Sequence, residues 1–376
     1  MQLNYLNKPH FGNGSIDSLP KIIKNLKLKN PLICSDQGLS SIGMTNKIVD
    51  LISNEVSVSL YEETPANPNE KAVNDALSLY RSSECDSVIG FGGGSSMDLA
   101  KAVALMANHS GNVIDYSVNE GGIKKINETV PVIAIPTTSG TGSEVSSGSV
   151  IIMNDGRKLL LISEFLRPKA AICDPELTLG LPPLITAGAG MDALTHCIEA
   201  ILSPRIDPPA EAVGLDGIEK VIRERSLIRA VKDGQDKEAR WNMMMASTDG
   251  AMAFSKGLGA VHSMSHAIGA DQELRLHHGT LNAVILPTVL RFNRDHVGNK
   301  YSKISRAMGK KDSSDLSEII ELLNIEIGLP VGLKEMGVTE NMIPSLVEHS
   351  ETDPSNATTP KLPNRDEWEK LFLDSM

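Results

Sequence analysis

The chain has 376 residues, a length typical of two domains. Apolar residues make up 41% and charged residues 22%, as in globular proteins. The formal net charge of -11 argues against nucleic-acid or anionic-membrane partners, and no basic run offsets it. The cysteines are scattered without a CxxC pair, and neither a signal peptide nor a long apolar segment is evident. These features predict a cytoplasmic protein with no membrane span.

The first part of the chain alternates short apolar runs with helical stretches. We predict strands at residues 30–35, 56–61, 86–90 and 130–135. Helices are predicted between them at residues 69–82 and 96–107. Strands that alternate with helices indicate a parallel, doubly wound, Rossmann-like α/β sheet.

The pattern changes near residue 180, where the breaker-rich stretch LPPLITAGAG begins. Strand signals nearly vanish beyond it. The helices predicted there are at residues 187–203, 209–234, 236–255, 258–270, 281–293 and 313–328. We therefore predict an α/β domain at residues 1–180 and an all-α domain at residues 181–376.

Two glycine-rich turns follow predicted strands. Residues 91–99 read FGGGSSMDL and open a helix, whose free N–H groups and positive dipole end suit a phosphate. Residues 136–145 read PTTSGTGSEV, where hydroxyls and glycines suit an anion-binding nest. Two such turns at the carboxyl ends of parallel strands predict a dinucleotide site. For the first turn alone, a tight strand-to-helix connection without a ligand is the alternative.

Asp36 follows the first predicted strand. A carboxylate in this position hydrogen-bonds a ribose and repels a 2′-phosphate, which favours NAD over NADP. The same residue type also caps helices and forms turns, and spacing by itself favours that role. Both interpretations of Asp36 stay open at this stage.

A group of metal-binding residue types lies in the second half of the chain. Asp192 and His196 are four apart on a predicted helix, so they share one face. Within residues 260–279 there are four further histidines: His262, His266, His277 and His278. One carboxylate with several imidazoles suits Fe(II) or Zn(II). The spacing does not select which of the histidines are ligands.

Five ordered motifs resemble those of the iron-containing (group III) alcohol dehydrogenase family. They are FGGGSSMDLAKAVAL, IPTTSGTGSEV, CDPELTLGLPP, AGMDALTHCIEA, and GLGAVHSMSHAIGA followed by HHGTLNAVILP. The resemblance runs from about residue 30 to the C-terminus. It implies a dehydroquinate synthase-like architecture, with an NAD(P)-binding α/β domain and a helical domain that binds one divalent metal ion. It also implies reversible alcohol oxidation by hydride transfer, and a homodimer or higher homo-oligomer.

The resemblance carries over to individual residues. It implies that the metal ligands are Asp192, His196, His262 and His278. His278 is selected because the family's last ligand directly precedes a glycine, and the adjacent His277 is the alternative. His266 matches a family histidine near the nicotinamide, and we expect it to relay a proton. The implied cofactor-binding positions are Asp36, Asn67, Gly93, Gly94, Ser95, Asp98, Thr137, Thr138, Thr141 and Lys158.

Arg275 lies in the loop before His278, which is longer here than in common family members. We hypothesise that it favours substrates with an acidic group, such as a hydroxy acid semialdehyde. The alternative is a surface ion pair with Asp271 or Glu273. Iron is the metal that the family name suggests, and zinc would satisfy the same ligands. A group of acidic residues near the C-terminus is expected on a solvated surface: Glu348, Glu351 and Asp353.

Three other functions compete with a dehydrogenase. A dehydroquinate-synthase-like lyase also uses NAD and a metal, but its phosphorylated substrate needs several cations. Near the motifs we identify only Lys158 and Arg275 as candidates for this role. A metal hydrolase leaves both glycine-rich turns unexplained. A non-catalytic NAD-binding protein leaves the metal-type residues unexplained. We therefore expect an alcohol dehydrogenase or aldehyde reductase.

Overall fold

The computed structural model describes residues 7–376. The chain divides into two compact units. Within the described residues, the α/β unit comprises residues 7–138 and 143–177, and the helical unit comprises residues 139–142 and 178–376. The short segment of the second glycine-rich turn thus belongs with the helices, although in sequence it lies between two strands.

Six parallel strands form the sheet of the α/β unit. They are β1 (Pro9–Phe11), β2 (Pro31–Cys34), β3 (Ser59–Tyr61), β4 (Ser87–Gly92), β5 (Val132–Pro136) and β8 (Ala170–Cys173), in the order β1-β8-β5-β4-β2-β3. Successive side chains along a strand pack into different hydrophobic cores. Leu32 and Val88 belong to the core on one face of the sheet, and Ile33 and Ile89 belong to the core on the other face. The predicted parallel, doubly covered sheet is therefore confirmed.

The helices of the α/β unit lie between these strands. They are α1 (Leu19–Leu26), α2 (Gln37–Ser41), α3 (Met44–Ile52), α4 (Glu70–Ser82) and α5 (Gly94–Asn108). The strand predicted at residues 56–61 is too long. Its first residue, Val56, donates its N–H to Ile52 O in the turn that ends α3, so pairing begins only at Ser59.

A separate antiparallel hairpin, β6 (Gly148–Ile152) and β7 (Lys158–Ile162), was not predicted from the sequence. The edge strand β1 and its neighbour β8 were not predicted either. All four strands are five residues long or shorter, so they carry little of the period-two pattern that identifies a strand.

The helical unit has no strand within the described part of the chain. Its helices are α6 (Pro183–Leu202), α7 (Pro208–Ile218), α8 (Ser226–Lys232), α9 (Lys237–Ala253), α10 (Ala260–Gly269), α11 (His278–Asn293), α12 (Lys300–Ala307), α13 (Leu316–Glu326), α14 (Ile343–Glu351) and α15 (Arg365–Asp374). Every residue of α6 from Thr186 to Leu202 is buried, so this helix forms the centre of the unit.

The helix predicted at residues 209–234 is interrupted. A π-helical turn occupies Glu219–Arg223, and Arg225 has a left-handed backbone with φ 56°. None of the helices within residues 7–376 has the length and apolar character that crossing a membrane requires.

Candidate metal centre and cofactor-binding residues

Two glycines bring helices α6 and α11 close together. A Cβ atom at Gly279 would lie 2.1 Å from Gly188 O and 3.0 Å from Asp192 Cβ, so only a glycine is accommodated. His278 begins α11 directly before this contact, and Asp192 lies one turn beyond Gly188 on α6. The approach of the two backbones therefore places His278 beside Asp192.

Three imidazole nitrogens face one carboxylate oxygen. The distances from Asp192 Oδ1 are 3.8 Å to His196 Nε2, 3.8 Å to His262 Nε2 and 3.6 Å to His278 Nε2. The Asp192, His196 and His262 side chains are almost fully buried, and His278 is 21% exposed. Asp192, His196 and His262 each have one potential ligand atom, and these three atoms lie within 4.8 Å of one another.

The chemistry of this group fits a divalent transition-metal ion. Ligand atoms about 2.1 Å from a tetrahedral ion lie about 3.4 Å from one another, close to the observed separations. Burial lowers the pKa of His196 to about 4 in spite of the nearby Asp192 charge, so its ring is neutral with a lone pair available. Imidazole and carboxylate donors without a thiolate suit Fe(II) or Zn(II).

Glu199 holds His262 and was missed by the sequence analysis. His262 Nδ1 lies 2.6 Å from Glu199 Oε2, and the same carboxylate accepts the backbone N–H groups of Gly259 and Val261. Burial acts to lower the pKa of His262, but the hydrogen bond and charge of Glu199 raise it. Such a partner fixes the ring so that Nε2 is the coordinating atom. In the sequence, the signal for Glu199 was its position three residues after His196.

Asn282 is a second missed residue. It lies four residues after His278 on α11, and its Nδ2 donates to Asp192 Oδ1 at 2.8 Å. Nδ2 also lies 3.3 Å from His262 Nε2 and from His278 Nε2. The i,i+4 relation to His278 was the signal for it.

His266 pairs with Asp353, which corrects the expectation that Asp353 is solvated. His266 Nδ1 lies 2.9 Å from Asp353 Oδ2, and the Asp353 side chain is only 7% exposed. Burial acts to raise the pKa of Asp353, but the facing His266 and the hydrogen bonds from His266 and Ser355 lower it to about 2. The His266 ring stacks on His278 with 5.3 Å between centroids. Nothing local in the sequence links residues 266 and 353.

His277 and His278 occupy different positions. His277 is the N-cap of α11, where its Nδ1 accepts the N–H of Thr280 at 3.3 Å. His278 approaches Asp192 instead. This placement favours His278 over His277 as the ligand.

The glycine-rich turn after β4 opens helix α5. Gly93 is the N-cap, Gly94 and Ser95 lie in the first turn, and Ser95 Oγ donates to Ala66 O. Thr137 donates its backbone N–H to Gly92 O at 2.9 Å, and a Cβ atom at Gly93 would lie 3.5 Å from the Thr138 side chain. Residues 92–95 and 137–138 therefore adjoin. Thr141 belongs to the segment grouped with the helical unit.

Asp36 caps helix α2, which is the second of the two roles considered for it. Its Oδ1 accepts the N–H of Leu39 at 3.1 Å. Its Oδ2 lies 3.3 Å from the position that a Cβ atom at Gly92 would take. One oxygen is used by the cap, and the other faces the glycine-rich turn.

Asp98 joins the two turns to the hairpin. It accepts from Ser143 Oγ at 2.6 Å and from the N–H of Val150 at 2.9 Å, and its burial raises its pKa. Buried Lys101, a residue the sequence analysis missed, donates to Ser143 Oγ at 2.9 Å and to Gly148 O at 2.7 Å. Burial lowers the pKa of Lys101 to about 8. Both Asp98 oxygens are therefore occupied by the protein itself.

Two further predicted cofactor residues contact each other. Lys158 Nζ donates to Asn67 Oδ1 at 3.0 Å. Lys158 begins β7, and Asn67 precedes α4. This contact links the hairpin to the loop before α4, close to Ser95, which bonds to the neighbouring Ala66.

Comparison with known proteins shows the family. Residues 7–175 match iron-containing alcohol dehydrogenases, and residues 186–376 match the C-terminal region of that family. The chain is 43% identical to a 4-hydroxybutyrate dehydrogenase from Cupriavidus necator, with 99% of each chain covered. It is 32% identical to a 1,3-propanediol dehydrogenase from Klebsiella pneumoniae, covering 96% of this chain and 95% of the relative.

Solved structures have the same fold. A 1,3-propanediol oxidoreductase superposes with a TM-score of 0.93 at 31% identity, with 100% of both chains covered. A sulfoacetaldehyde reductase from Bifidobacterium kashiwanohense in complex with NAD+ has a TM-score of 0.88 at 28% identity, covering 100% of this chain and 98% of that one. The chain belongs to the iron-containing alcohol dehydrogenase family. It is an oxidoreductase that acts on alcohols and aldehydes, and the lyase alternative is not favoured.

Proposed function

We propose that the protein catalyses the reversible oxidation of a short hydroxy acid to its semialdehyde, with NAD as hydride acceptor. The observation that carries the reaction is the convergence of three imidazole nitrogens on Asp192 Oδ1 at 3.6–3.8 Å. The substrate class is supported by the relative named 4-hydroxybutyrate dehydrogenase, which matches along 99% of both chains.

We assign the metal site to Asp192, His196, His262 and His278, with Fe(II) as the expected ion and Zn(II) as the alternative. The bound ion supplies a Lewis acid for the substrate oxygen. The protein's part is to present the imidazole nitrogens in fixed orientations. Burial keeps His196 neutral, and Glu199 turns His262 so that Nε2 faces the centre.

The proposed cofactor is NAD rather than NADP. The Asp36 oxygen that faces the glycine-rich turn would accept a ribose hydroxyl and repel a 2′-phosphate. The start of α5 offers backbone N–H groups to the pyrophosphate. The other proposed contacts are Asn67, Gly93, Gly94, Ser95, Thr137, Thr138, Thr141 and Lys158, while Asp98 supports them through Ser143.

We propose that His266 passes a proton between the substrate oxygen and water. Asp353 accepts from Nδ1 and so fixes both the tautomer and the ring orientation. Nε2 has no hydrogen-bond partner among residues 7–376 and is left for proton exchange. Asp353 thus acts on the reaction through His266.

His266→Ala is expected to lower turnover by about a hundred-fold while metal content stays near that of the parent. The reason is that the variant loses the proton path but keeps the four ligands. Steady-state kinetics and elemental analysis measure the two effects. His277→Ala is the matched control, and near-parental turnover is expected because His277 is the N-cap of α11 and lies outside the proposed ligand set. Loss of metal in the His266 variant would mean that His266 is itself a ligand.

Arg275→Ala is expected to raise KM for an acid-bearing aldehyde at least about ten-fold and to leave a neutral aldehyde little changed. Arg275 is exposed, has a left-handed backbone with φ 51°, and within the described residues its Nε donates to Gln272 O at 3.3 Å rather than to Asp271 or Glu273. The two terminal NH2 groups of its guanidinium are therefore available for a carboxylate. Succinic semialdehyde and butyraldehyde are a suitable pair, and equal losses on both would refute this role.

The proposed function is tested by assaying protein loaded with Fe(II) or Zn(II). With 4-hydroxybutyrate, NADH is expected to accumulate faster with NAD than NADPH does with NADP. Simple diols serve as reference substrates. A protein that binds metal and NAD but produces no net NADH from any alcohol would refute the proposal. We further propose that the protein is cytoplasmic and forms a homodimer. Light scattering in solution measures its oligomeric state.

A further inference from the structure

The Asn282 amide covers one side of the candidate metal centre. Asn282 is fully buried on α11, one turn after His278. Its Nδ2 lies 2.8 Å from Asp192 Oδ1 and 3.3 Å from both His262 Nε2 and His278 Nε2. An atom at similar distances from three others lies over the triangle that they define. Nδ2 therefore stands over the face formed by the carboxylate oxygen and two imidazole nitrogens.

The chemistry of the neighbours fixes which end of the amide faces them. A carboxylate only accepts hydrogen bonds, and Asp192 Oδ1 has lone pairs for both a metal ion and the Asn282 N–H at 2.8 Å. Only the NH2 end of the Asn282 amide can donate to it. Asn282 Oδ1 is buried without a partner among the described residues. The NH2 group is thus directed at the proposed ligand atoms rather than at the surrounding scaffold.

An amide NH2 group donates hydrogen bonds but has no lone pair to offer a cation. Asn282 therefore occupies space beside three ligand atoms without being a ligand itself. Any further oxygen donor that approached this face would collide with Nδ2. The faces that include His196 Nε2 are not covered by Asn282, since among the described residues its Nδ2 contacts only Asp192, His262 and His278 at the site.

We propose that Asn282 is a positioning residue that closes one side of the metal site and directs the substrate oxygen to a side that includes His196. This inference rests on the proposed function, because it takes Asp192 and the three histidines as ligands. The oxygen donors that Asn282 excludes from the covered side are water and the substrate's own carboxylate. A hydroxy acid would otherwise be able to bind through both ends and lose the orientation that hydride transfer needs.

The test uses the visible absorption of Co(II)-loaded protein, which is several-fold stronger with four ligands than with six. Asn282→Ala opens the covered face to water. Asn282→Asp keeps the shape of the side chain but offers a ligating oxygen in place of the NH2 group. We expect both variants to bind Co(II) with an absorption several-fold weaker than that of the parent. Asn282→Asp keeps the test valid if Asn282→Ala fails to fold.

Asn324→Ala is the matched control. Asn324 is also a buried asparagine whose Nδ2 donates to a neighbour, Ala283 O at 2.7 Å, and whose Oδ1 is unpartnered. We expect this variant to keep the parental Co(II) spectrum. Unchanged spectra in both Asn282 variants would overturn the inference. A parent protein that takes up no Co(II) would instead overturn the metal assignment of the proposed function.

Discussion

Replacing Asp192 with Asn is expected to leave a folded protein that has lost its divalent metal, with turnover reduced by about a thousand-fold or more. All three imidazole nitrogens face Asp192 Oδ1, so this oxygen is the common point of the site. An amide oxygen still accepts the hydrogen bond from Asn282, so the packing of α6 against α11 is retained. A neutral amide binds a cation more weakly than a carboxylate does.

Elemental analysis after dialysis measures the retained metal, and kinetics with added Fe(II) or Zn(II) measure residual turnover. Circular dichroism and thermal unfolding check the fold. Asp216→Asn is a suitable control, because it changes a carboxylate of the same unit that is 52% exposed and lies on α7. Full metal occupancy in the Asp192 variant would show that the ion is held elsewhere.

Replacing Asp249 with Asn is expected to stabilise the protein by about 2–4 kcal/mol at about pH 8 and much less at about pH 4. Asp249 lies on α9, is 5% exposed, and has a buried Oδ2 without a partner among the described residues. Burial, together with the charge of Asp216 and a hydrogen bond with it, raises the pKa of Asp249 to about 8. Nearby Lys220 opposes the rise only partly.

The sign follows from the two protonation equilibria. In the unfolded chain Asp249 ionises at its ordinary value of 3.8, whereas in the folded protein it keeps its proton up to about 8. Between these values the unfolded state holds fewer protons, so stability falls as the pH rises. An asparagine does not ionise, and its NH2 group can donate to Asp216. The Asp249→Asn variant therefore avoids the loss of stability that occurs as the pH rises.

Urea unfolding of metal-free protein across this pH range measures the difference. The charged groups that act on the pKa of Asp249 are the Asp216 carboxylate and Lys220 on the π-helical turn, and Asp249 in turn raises the pKa of buried Cys197 on α6. Asp216→Asn should give a smaller gain, since that side chain is half exposed. A gain for Asp249→Asn that is the same at both ends of the range would contradict the assigned protonation.

The local placements that the sequence predicted depend on short-range geometry. Asp192 and His196 fall on one helix face through the helical repeat alone, and the turn at Gly93 follows from a strand and a glycine run. The same kind of reasoning missed the hairpin β6–β7, because its strands are short and flank a tight turn. It also placed Asp353 on the surface, because composition does not show burial.

The amino-acid sequence was enough to predict the class of each half of the chain, the positions of the glycine-rich turns and the residue types available to bind a metal. These depend on periodicity and backbone conformation over a few residues. Which side chains contact one another depends on how the helices pack. The close approach of α6 and α11 at Gly188 and Gly279 brings His278 to Asp192, and with it Asn282, while His277 is left to cap the helix. Contacts between residues 90 positions apart, such as Asp192 with Asn282, depend on how helices pack.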